Sequence, residues 1–300
     1  MSDWLAALAG TPEGARLAAG LALLSAVAHA AFGALQKGRH DPWLSRGAID
    51  LWLAILSAPV AIFVVPWPDA VTWGFVAGAL VVHFAYKWAM ATAYEKAAYT
   101  VVYPVVRGAG PVVTVLAAFL VFGEAFTAAQ WLGVALVSGA ILALALRNLS
   151  EERIDPLALR AGLAWALLAG LLVAAYTTWD AAGIRSAPDP FTFLAWFFFV
   201  TALDFPVLAW RRLRRMEVRP PMAPLMLRGL VGALVAWVSF GGVMLATYLD
   251  KVGEAAVLRE TSTVFAALIG WFILGETVGP RRLVLMSLIA LGAVIVEFGG

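Results

Sequence analysis

The sequence predicts an all-α membrane protein in which ten transmembrane helices form two inverted five-helix repeats. Three observations lead to this prediction. Hydrophobic residues occupy 63% of the 300 positions and charged residues only 13%, whereas soluble domains contain about half apolar and a quarter charged residues. The apolar segments are long and continuous, and similar residues recur at a constant offset in the two halves of the chain.

Each apolar segment is long enough to cross a bilayer, whose hydrocarbon core needs roughly 20 apolar residues per helix. The segments are too continuous for the alternating strands of an outer-membrane barrel, so we expect helices in an inner membrane. Ten such spans use about two thirds of the chain and leave no room for a soluble domain. The predicted spans are 17–36, 48–66, 71–93, 99–122, 128–146, 160–181, 191–210, 225–248, 254–274 and 282–298.

The first span permits a second interpretation. Arg16 precedes an apolar run, and Ala28-His29-Ala30 is a candidate cleavage sequence of a signal peptide. Cleavage would remove one member of the repeat, so we favour a helix that is retained.

The repeat is visible in matched residues. Arg107 and Arg259 lie 152 residues apart, as do the dipeptides Gly123-Glu124 and Gly275-Glu276. The same offset superposes the hydropathy of spans three to five on spans eight to ten. Asp41-Pro42 precedes span two much as Asp189-Pro190 precedes span seven. We therefore predict halves of 1–150 and 151–300, joined by the polar segment 147–160.

Five spans per half is an odd number, so the two halves must have opposite orientations in the membrane. Inverted repeats are the architecture of alternating-access transporters, whose substrate site lies near the midplane at the repeat interface. The repeat therefore predicts a transporter.

The distribution of Lys and Arg predicts the orientation. Fourteen basic residues lie in the loops after spans one, three, five, seven and nine, against three in the termini and the other loops. Because positive charge favours the cytoplasm, both termini are predicted in the periplasm. The fourteen are Lys37, Arg39, Arg46, Lys96, Arg147, Arg153, Arg160, Arg211, Arg212, Arg214, Arg215, Arg219, Arg281 and Arg282, and the three are Arg16, Arg185 and Lys251.

A set of short motifs carries a family resemblance over essentially the whole chain. The motifs are Ala97-Ala98-Tyr99-Thr100, Pro104, Pro111, Gly123-Glu124, Gln130 and Gly133 in the first half, and Gly253-Glu254-Ala255-Ala256, Gly275-Glu276 and Gly292 in the second. With ten helices and a Gly-Glu turn after the fourth span of each half, the chain resembles the drug/metabolite transporter superfamily, EamA type. The aromatic-rich interior resembles its YddG-like amino-acid exporter branch.

The resemblance implies the ten-helix fold and the transport of small metabolites, and it leaves the substrate open. Two features depart from it. The ninth span carries Arg259-Glu260 and threonines where the fourth span has prolines. Many ten-helix relatives place their termini in the cytosol, opposite to the charge count above.

The third span presents a polar and aromatic face. His83, Tyr86, Lys87, Met90 and Tyr94 follow at i, i+3, i+4, i+7 and i+11, which is one side of a helix. Ionisable residues inside hydrocarbon are costly unless they are paired or face water. Lys87 is suited to a substrate carboxylate, and the aromatic residues to an ammonium or a side chain. The alternative is that His83 and Lys87 pair within the bundle.

The fourth span combines Tyr99, Tyr103 and Arg107 at intervals of four residues with Pro104 and Pro111. Proline removes a backbone hydrogen bond, and freed carbonyl groups at membrane depth need protein or a water-filled cavity. This predicts a span that lines the cavity or forms a hinge. The alternative is a static kink with close helix packing.

Arg107 and Arg259 occupy equivalent places in the two halves, as structural ion-pairing residues or as substrate ligands. Glu260 follows Arg259 directly, but neighbouring residues of a continuous helix point about 100° apart. Glu260 therefore needs another partner, such as Lys87 or a coupling proton.

In the sixth and eighth spans, Trp179 and Trp237 are candidates to line the cavity, or packing and interface residues.

No sequence motif of an enzyme is present, there is no cysteine, and the three histidines form no metal-ligand cluster. No basic, aromatic face suits nucleic acid. We predict a secondary transporter without a cofactor that exports or exchanges neutral and aromatic amino acids across a lipid bilayer. His83, Glu260 or Asp180 would carry a proton if transport is coupled. The alternatives are a passive channel of the same fold, an exporter of another metabolite or drug class, and a membrane-embedded enzyme.

Overall fold

Helices make up every regular element in the part of the chain that the computed structural model describes, residues 2–36, 41–97, 99–151, 156–272 and 279–300. In chain order they are α1 Asp3–Leu8, α2 Pro12–Gln36, α3 Pro42–Pro59, α4 Ala70–Lys96, α5 Tyr99–Phe122, α6 Ala128–Glu151, α7 Pro156–Ser186, α8 Pro190–Thr201, α9 Asp204–Arg214, α10 Met222–Leu249, α11 Val252–Arg259, α12 Ser262–Phe272 and α13 Pro280–Phe298. A π-helical turn, Val60–Val64, continues α3.

Eight helical segments within the described ranges are long and apolar enough to cross a membrane, so the chain is a multi-pass membrane protein. They correspond to the first eight predicted spans, the seventh of which comprises α8 and α9. The ninth predicted span, 254–274, is interrupted, and α11 and α12 share it. The tenth coincides with α13, of which Leu283–Phe298 is a shorter apolar helix.

The predicted polar connection at 147–160 is mostly helical. α6 continues to Glu151 and α7 begins at Pro156, so both helices extend past the apolar segments that predicted them. The hydropathy pattern identified only the apolar middle of each helix. The polar turns at the helix ends have no apolar signal, so the pattern did not include them.

The helices pack in a pattern that repeats between the two halves. α4 lies along α7, and α10, the third predicted span of the second half as α4 is of the first, lies along α2. Likewise α5 contacts α7, while α11 and α12 contact α2. α6 and α13 pack against each other, and the backbones approach so closely at Gly133 and Gly292 that a Cβ on Gly133 would lie 2.6 Å from the Gly292 carbonyl oxygen. Small residues permit such contacts between membrane helices.

The seventh span breaks between α8 and α9 because of a proline and a buried lysine. Pro206 cannot donate to the carbonyl of the residue four positions earlier and clashes with it, so a continuous helix through this point is disfavoured. At the end of α8, the Nζ of Lys87 in α4 donates to the Thr201 carbonyl oxygen at 2.6 Å. A cation at a helix C-terminus also opposes the negative end of the helix dipole.

The ninth span breaks at Glu260 and Thr261 without any proline. The hydroxyl of Thr261 donates to the Leu258 carbonyl oxygen at 2.6 Å, and Glu260 and Thr261 donate their backbone N–H groups three residues back rather than four. Threonine and serine compete with the helical backbone for hydrogen bonds in this way. The fourth span, α5, instead runs as one helix through Pro104 and Pro111, so the interruption lies in the span that carries the threonines.

α11 contains eight residues and α12 eleven, or about 12 Å and 16 Å of helix. Each piece is therefore much shorter than the hydrocarbon layer, which is about 30 Å thick.

Candidate functional site

A buried ion pair joins α5 to the break in the ninth span. The Nη1 of Arg107 donates to Oε1 of Glu260 at 3.1 Å, and its Nη2 lies 3.4 Å from the hydroxyl of Ser262, the first residue of α12. Arg107 and Glu260 are only 3% and 4% exposed. Glu260 therefore pairs with Arg107, and not with Lys87 as one of the sequence hypotheses suggested. Removing one partner of a pair buried to this degree would leave an uncompensated charge away from water, which is strongly destabilising.

Arg259, the last residue of α11, is equally buried at 3% exposed but has no carboxylate partner within ion-pair distance among the described residues. Its guanidinium group lies 4.8 Å from the centre of the Phe240 ring. Its Nη2 lies 3.3 Å from Nδ1 of His29, and its Nε has no hydrogen-bond partner.

His29 is held as a neutral acceptor beside this arginine. A guanidinium group can only donate, so Nδ1 of His29 accepts and its proton must sit on Nε2. The same Nδ1 is 3.2 Å from the hydroxyl of Ser239 in α10. The ring of His29 also stacks near Tyr103, with centroids 6.3 Å apart. His29 therefore leaves the positive charge of Arg259 uncompensated.

A small cavity adjoins these charges. Its volume of about 10 Å³ admits a single water molecule. The break in the ninth span places both Arg259 and Glu260 on its wall, although adjacent residues of a continuous helix would diverge. The lining residues are Arg107, Gly110, Pro111, Thr114, Val173, Thr177, Val243, Ala256, Arg259 and Glu260.

A second buried pair lies between α4 and α7. Nε2 of His83 is 2.7 Å from Oδ2 of Asp180. The imidazole ring also contacts Tyr176 and Phe197, at centroid distances of 4.5 Å and 4.9 Å. Phe240 is 6.4 Å from His83 and also lies under Arg259, so it connects this aromatic group to the cavity.

Tyr86 packs against the same aromatic group. The centroid of its ring is 5.0 Å from that of Tyr176, in an edge-to-face arrangement. Tyr86 is partly buried, and it lies on the same face of α4 as His83, as the spacing predicted.

Lys87 forms a third charged cluster, at the break in the seventh span. Its Nζ donates to Asp50 Oδ2 at 2.8 Å, to the Thr201 carbonyl oxygen and to Asp204 at the start of α9. Arg46 adds a contact of 2.8 Å to Asp50. An ammonium group has three donors, so in this conformation Lys87 has none left for a substrate.

The two interrupted spans are thus built alike. In each, a carboxylate sits where the second helical piece begins, Asp204 at α9 and Glu260 just before α12, and a buried cation from the first half binds it. The positive end of a helix dipole favours an acidic residue at its N-terminus. Lys87 and Arg107 therefore hold the two breaks in place.

The remaining predicted residues lie around this centre. Trp237 donates from Nε1 to the hydroxyl of Ser57 at 3.2 Å and stacks on Phe198. Trp179 donates to the Phe75 carbonyl oxygen at 2.8 Å and is 38% exposed, away from the cavity. Tyr99 and Pro104 lie in α5, but their side chains are outside the described part of the structure.

The Gly-Glu motif of the first half connects the two halves. Gly123 ends α5 with a φ of 69°, a backbone conformation that glycine tolerates. Glu124 then accepts hydrogen bonds from the backbone N–H groups of Val252 and Gly253 at 2.8 Å and 3.0 Å, and so caps the N-terminus of α11. Gly275-Glu276 lies outside the described residues.

Sequence reasoning missed the cavity residues that carry no motif. Thr114 and Thr177 line the cavity, and Ser239 contacts His29, which in turn contacts the cavity residue Arg259. Small hydroxyl residues are common in apolar helices, so their positions alone gave no signal. In the sequence His29 was considered as part of a candidate cleavage sequence and as a metal ligand, and nothing in its spacing relates it to Arg259, 230 residues away.

Comparison with known proteins agrees with a transporter fold. The EamA-like transporter family, within the drug/metabolite transporter superfamily, matches residues 160–298, so an EamA-like domain occupies the second half of the chain. One similar solved structure, named only "Crystal structure of protein", has a TM-score of 0.73, covers 95% of this chain and 96% of its own, and is 16% identical. Such a likeness shows a shared fold. No curated protein matches.

Proposed function

We propose that this chain is a secondary transporter of small metabolites that works by alternating access, with neutral and aromatic amino acids as its substrates. The observation that carries the proposal is the interrupted ninth predicted span, whose Arg259 and Glu260 line a cavity between the helices, which we place near the middle of the membrane. Ionisable residues at this depth are costly and mark substrate or ion pathways. Interrupted helices at the midplane form the binding sites of many transporters.

The proposed architecture is ten transmembrane helices in two inverted five-helix repeats, 1–150 and 151–300. The repeated packing of α4 on α7 and of α10 on α2 supports it, because a twofold axis in the membrane plane would produce this correspondence. We place the chain in the inner membrane with both termini in the periplasm, following the positions of its basic residues.

Transport requires the cavity to open, since its present volume excludes an amino acid. The Arg107–Glu260 pair holds α5 of the first half against the break in the second half. A substrate head group that competes for either partner would loosen this contact and allow the halves to rock. Pro111 and Gly110, which line the cavity beside Arg107, are suited to adapt the backbone of α5.

The aromatic residues around Phe240 would receive the substrate side chain. His83, Tyr86 and Tyr103 lie in this region, and we include Tyr99, Trp179, Trp237 and Lys87 in the wider site, with Pro104 as a gating residue. His83, Asp180 and Glu260 would carry a coupling proton, because each holds an ionisable group in the interior of the bundle.

Counterflow in proteoliposomes tests the proposal. Vesicles are loaded with a mixture of neutral and aromatic amino acids, and uptake of external labelled leucine and phenylalanine is followed. We expect saturable accumulation above that of empty liposomes, since only a carrier exchanges substrate through a closed cycle. Equilibration without accumulation would identify a channel. No uptake by correctly inserted protein would remove amino acids as substrates.

Variants connect the activity to the site. Replacing His83 or Trp237 with alanine is expected to reduce counterflow without reducing expression, and an imposed proton gradient should drive net movement if transport is coupled. Unchanged counterflow in both variants would contradict the role of the aromatic region.

A further inference from the structure

The charges at the break in the ninth span are only partly satisfied, and their unused groups have a defined chemistry. Among the described residues, Nε of Arg259 is a buried donor without a partner and Oε2 of Glu260 is a buried acceptor without a partner. Both side chains line the same cavity. Unpaired buried polar groups are rare in proteins, and groups of this kind beside a cavity suit a ligand.

We propose that Arg259 and Glu260 together bind the head group of an α-amino acid, with the carboxylate on Arg259 and the ammonium on Glu260. This assignment rests on the proposed transport function and specifies how the substrate is recognised. It places the carboxylate on Arg259 rather than on Lys87, whose three donors are already bound to Asp50, Asp204 and Thr201.

The two groups match the substrate in number and sign. Glu260 keeps Oε1 on Arg107 and has Oε2 for one ammonium N–H group. In the described part of the structure, the contacts of the Arg259 guanidinium group are with neutral groups, the Nδ1 of His29 and the ring of Phe240. A guanidinium fork matches the geometry of a carboxylate, to which it can donate two parallel hydrogen bonds.

The other charged side chains close to Arg259 and Glu260 have partners of their own, so they do not take the role proposed for the ligand. Asp180 of α7 is the next carboxylate, and it is hydrogen-bonded to His83 at 2.7 Å. Arg107 donates Nη1 to Glu260 and directs Nη2 to Ser262, so that only its Nε is without a partner among the described residues. The helix termini favour the arrangement, because Arg259 ends α11 and Glu260 precedes α12, where the dipoles stabilise their respective charges.

The side chain of the amino acid would extend from the head group toward Phe240. This ring lies directly beside Arg259 and leads to His83 and Tyr176. The site therefore favours amino acids with apolar or aromatic side chains.

A competition series on the wild-type protein tests the head group directly. Counterflow of labelled phenylalanine is measured with three competitors, unlabelled phenylalanine, phenethylamine, which lacks the carboxylate, and 3-phenylpropionate, which lacks the ammonium. We expect each analogue to compete at least about tenfold more weakly than phenylalanine, because each leaves one buried charge unpaired. Equal competition by either analogue overturns the assignment and leaves the transport function intact.

Arg259→Gln is the matching variant. No carboxylate of the described residues lies within ion-pair distance of Arg259, so this change breaks no ion pair and the protein should insert and fold. We expect its KM for phenylalanine to rise about tenfold or more and its preference for phenylalanine over phenethylamine to disappear. Arg211→Gln, the same change at an exposed residue of α9, serves as the control and should behave as wild type.

Glu260→Gln also leaves Arg107 unpaired, so its folding must be checked by size-exclusion chromatography in detergent before transport is measured. If Arg259→Gln is monodisperse and retains both the wild-type KM and the wild-type preference, the assignment is wrong. If the wild-type protein shows no amino-acid counterflow at all, the proposed substrate class fails, and this assignment fails with it.

Discussion

Replacing Lys87 with methionine should destabilise the protein strongly, because its one ammonium group joins α4 to three other helices. Lys87 of α4 binds Asp50 of α3, the last carbonyl group of α8 and Asp204 of α9. Methionine fills a similar volume but leaves a buried carboxylate without its cation. Breaking such a pair costs about 3–5 kcal/mol. Arg46 still contacts Asp50 at 2.8 Å, so we expect a loss near the lower limit, about 3 kcal/mol.

A double-mutant cycle isolates this interaction. Asp204→Asn alone keeps Lys87 on Asp50, and we expect a smaller loss of about 1–2 kcal/mol. The double variant, with methionine and asparagine, removes the cation and one carboxylate together. Its loss should fall at least about 1 kcal/mol short of the sum of the two single losses, since contacting residues are not additive.

The assay is equilibrium unfolding in mixed micelles of detergent and SDS, followed by tryptophan fluorescence. Lys96→Met, at the exposed end of the same helix, is the control and should change the unfolding free energy by less than about 0.5 kcal/mol. The reasoning is refuted if Lys87→Met is as mild as this control, or if the two single losses simply add. A normal unfolding free energy with a raised KM would instead assign Lys87 to the substrate.

Two further predictions concern contacts between the halves. Gly133→Ala should lower the unfolding free energy by about 1–3 kcal/mol, because its Cβ would meet the Gly292 carbonyl oxygen at 2.6 Å. Gly139→Ala, which has open space around it, is the control and should not lower the unfolding free energy. Equal thermal denaturation of the two variants would contradict the close contact of α6 and α13. Glu124→Ala should cost about 1–2 kcal/mol because it uncaps α11, and an unfolding curve that coincides with that of the exposed-site control Glu217→Ala would exclude this capping role.

The sequence predicted which segments are helical and which face of a helix is buried, and these predictions agree with the structure. The apolar segments correspond to helices, and the face of α4 that carries His83, Tyr86 and Lys87 points into the bundle as its spacing predicted. The alternative that His83 and Lys87 pair within the bundle also agrees, with Asp180 and Asp50 as partners. Periodicity determines which face of a helix is buried, since that depends only on the helix itself.

The partners of the buried charges depend on tertiary structure. Glu260 was expected to need a distant partner, but the choice of Arg107, 153 residues away, follows from the packing of α5 against α11. The sequence also predicted an irregular backbone at the prolines of α5, and this was wrong in position. In the structure α5 is one helix, and the break lies at Glu260 and Thr261. Membrane helices can absorb a proline when neighbouring groups satisfy the freed carbonyl, and no single sequence reveals those neighbours.

By itself the sequence determined that this chain is helical and lies in a membrane, because both properties follow from local composition and from the need to satisfy every backbone hydrogen bond in lipid. It also identified the ionisable residues that the membrane interior makes costly. Only the tertiary structure decided which charges neutralise each other and which remain available. From the sequence, Arg107, Arg259 and Glu260 are all expected to be charged residues inside the membrane. In the structure, the break in the ninth span lets Glu260 pair with Arg107. Arg259 faces the cavity, and no carboxylate of the described residues lies within ion-pair distance of it.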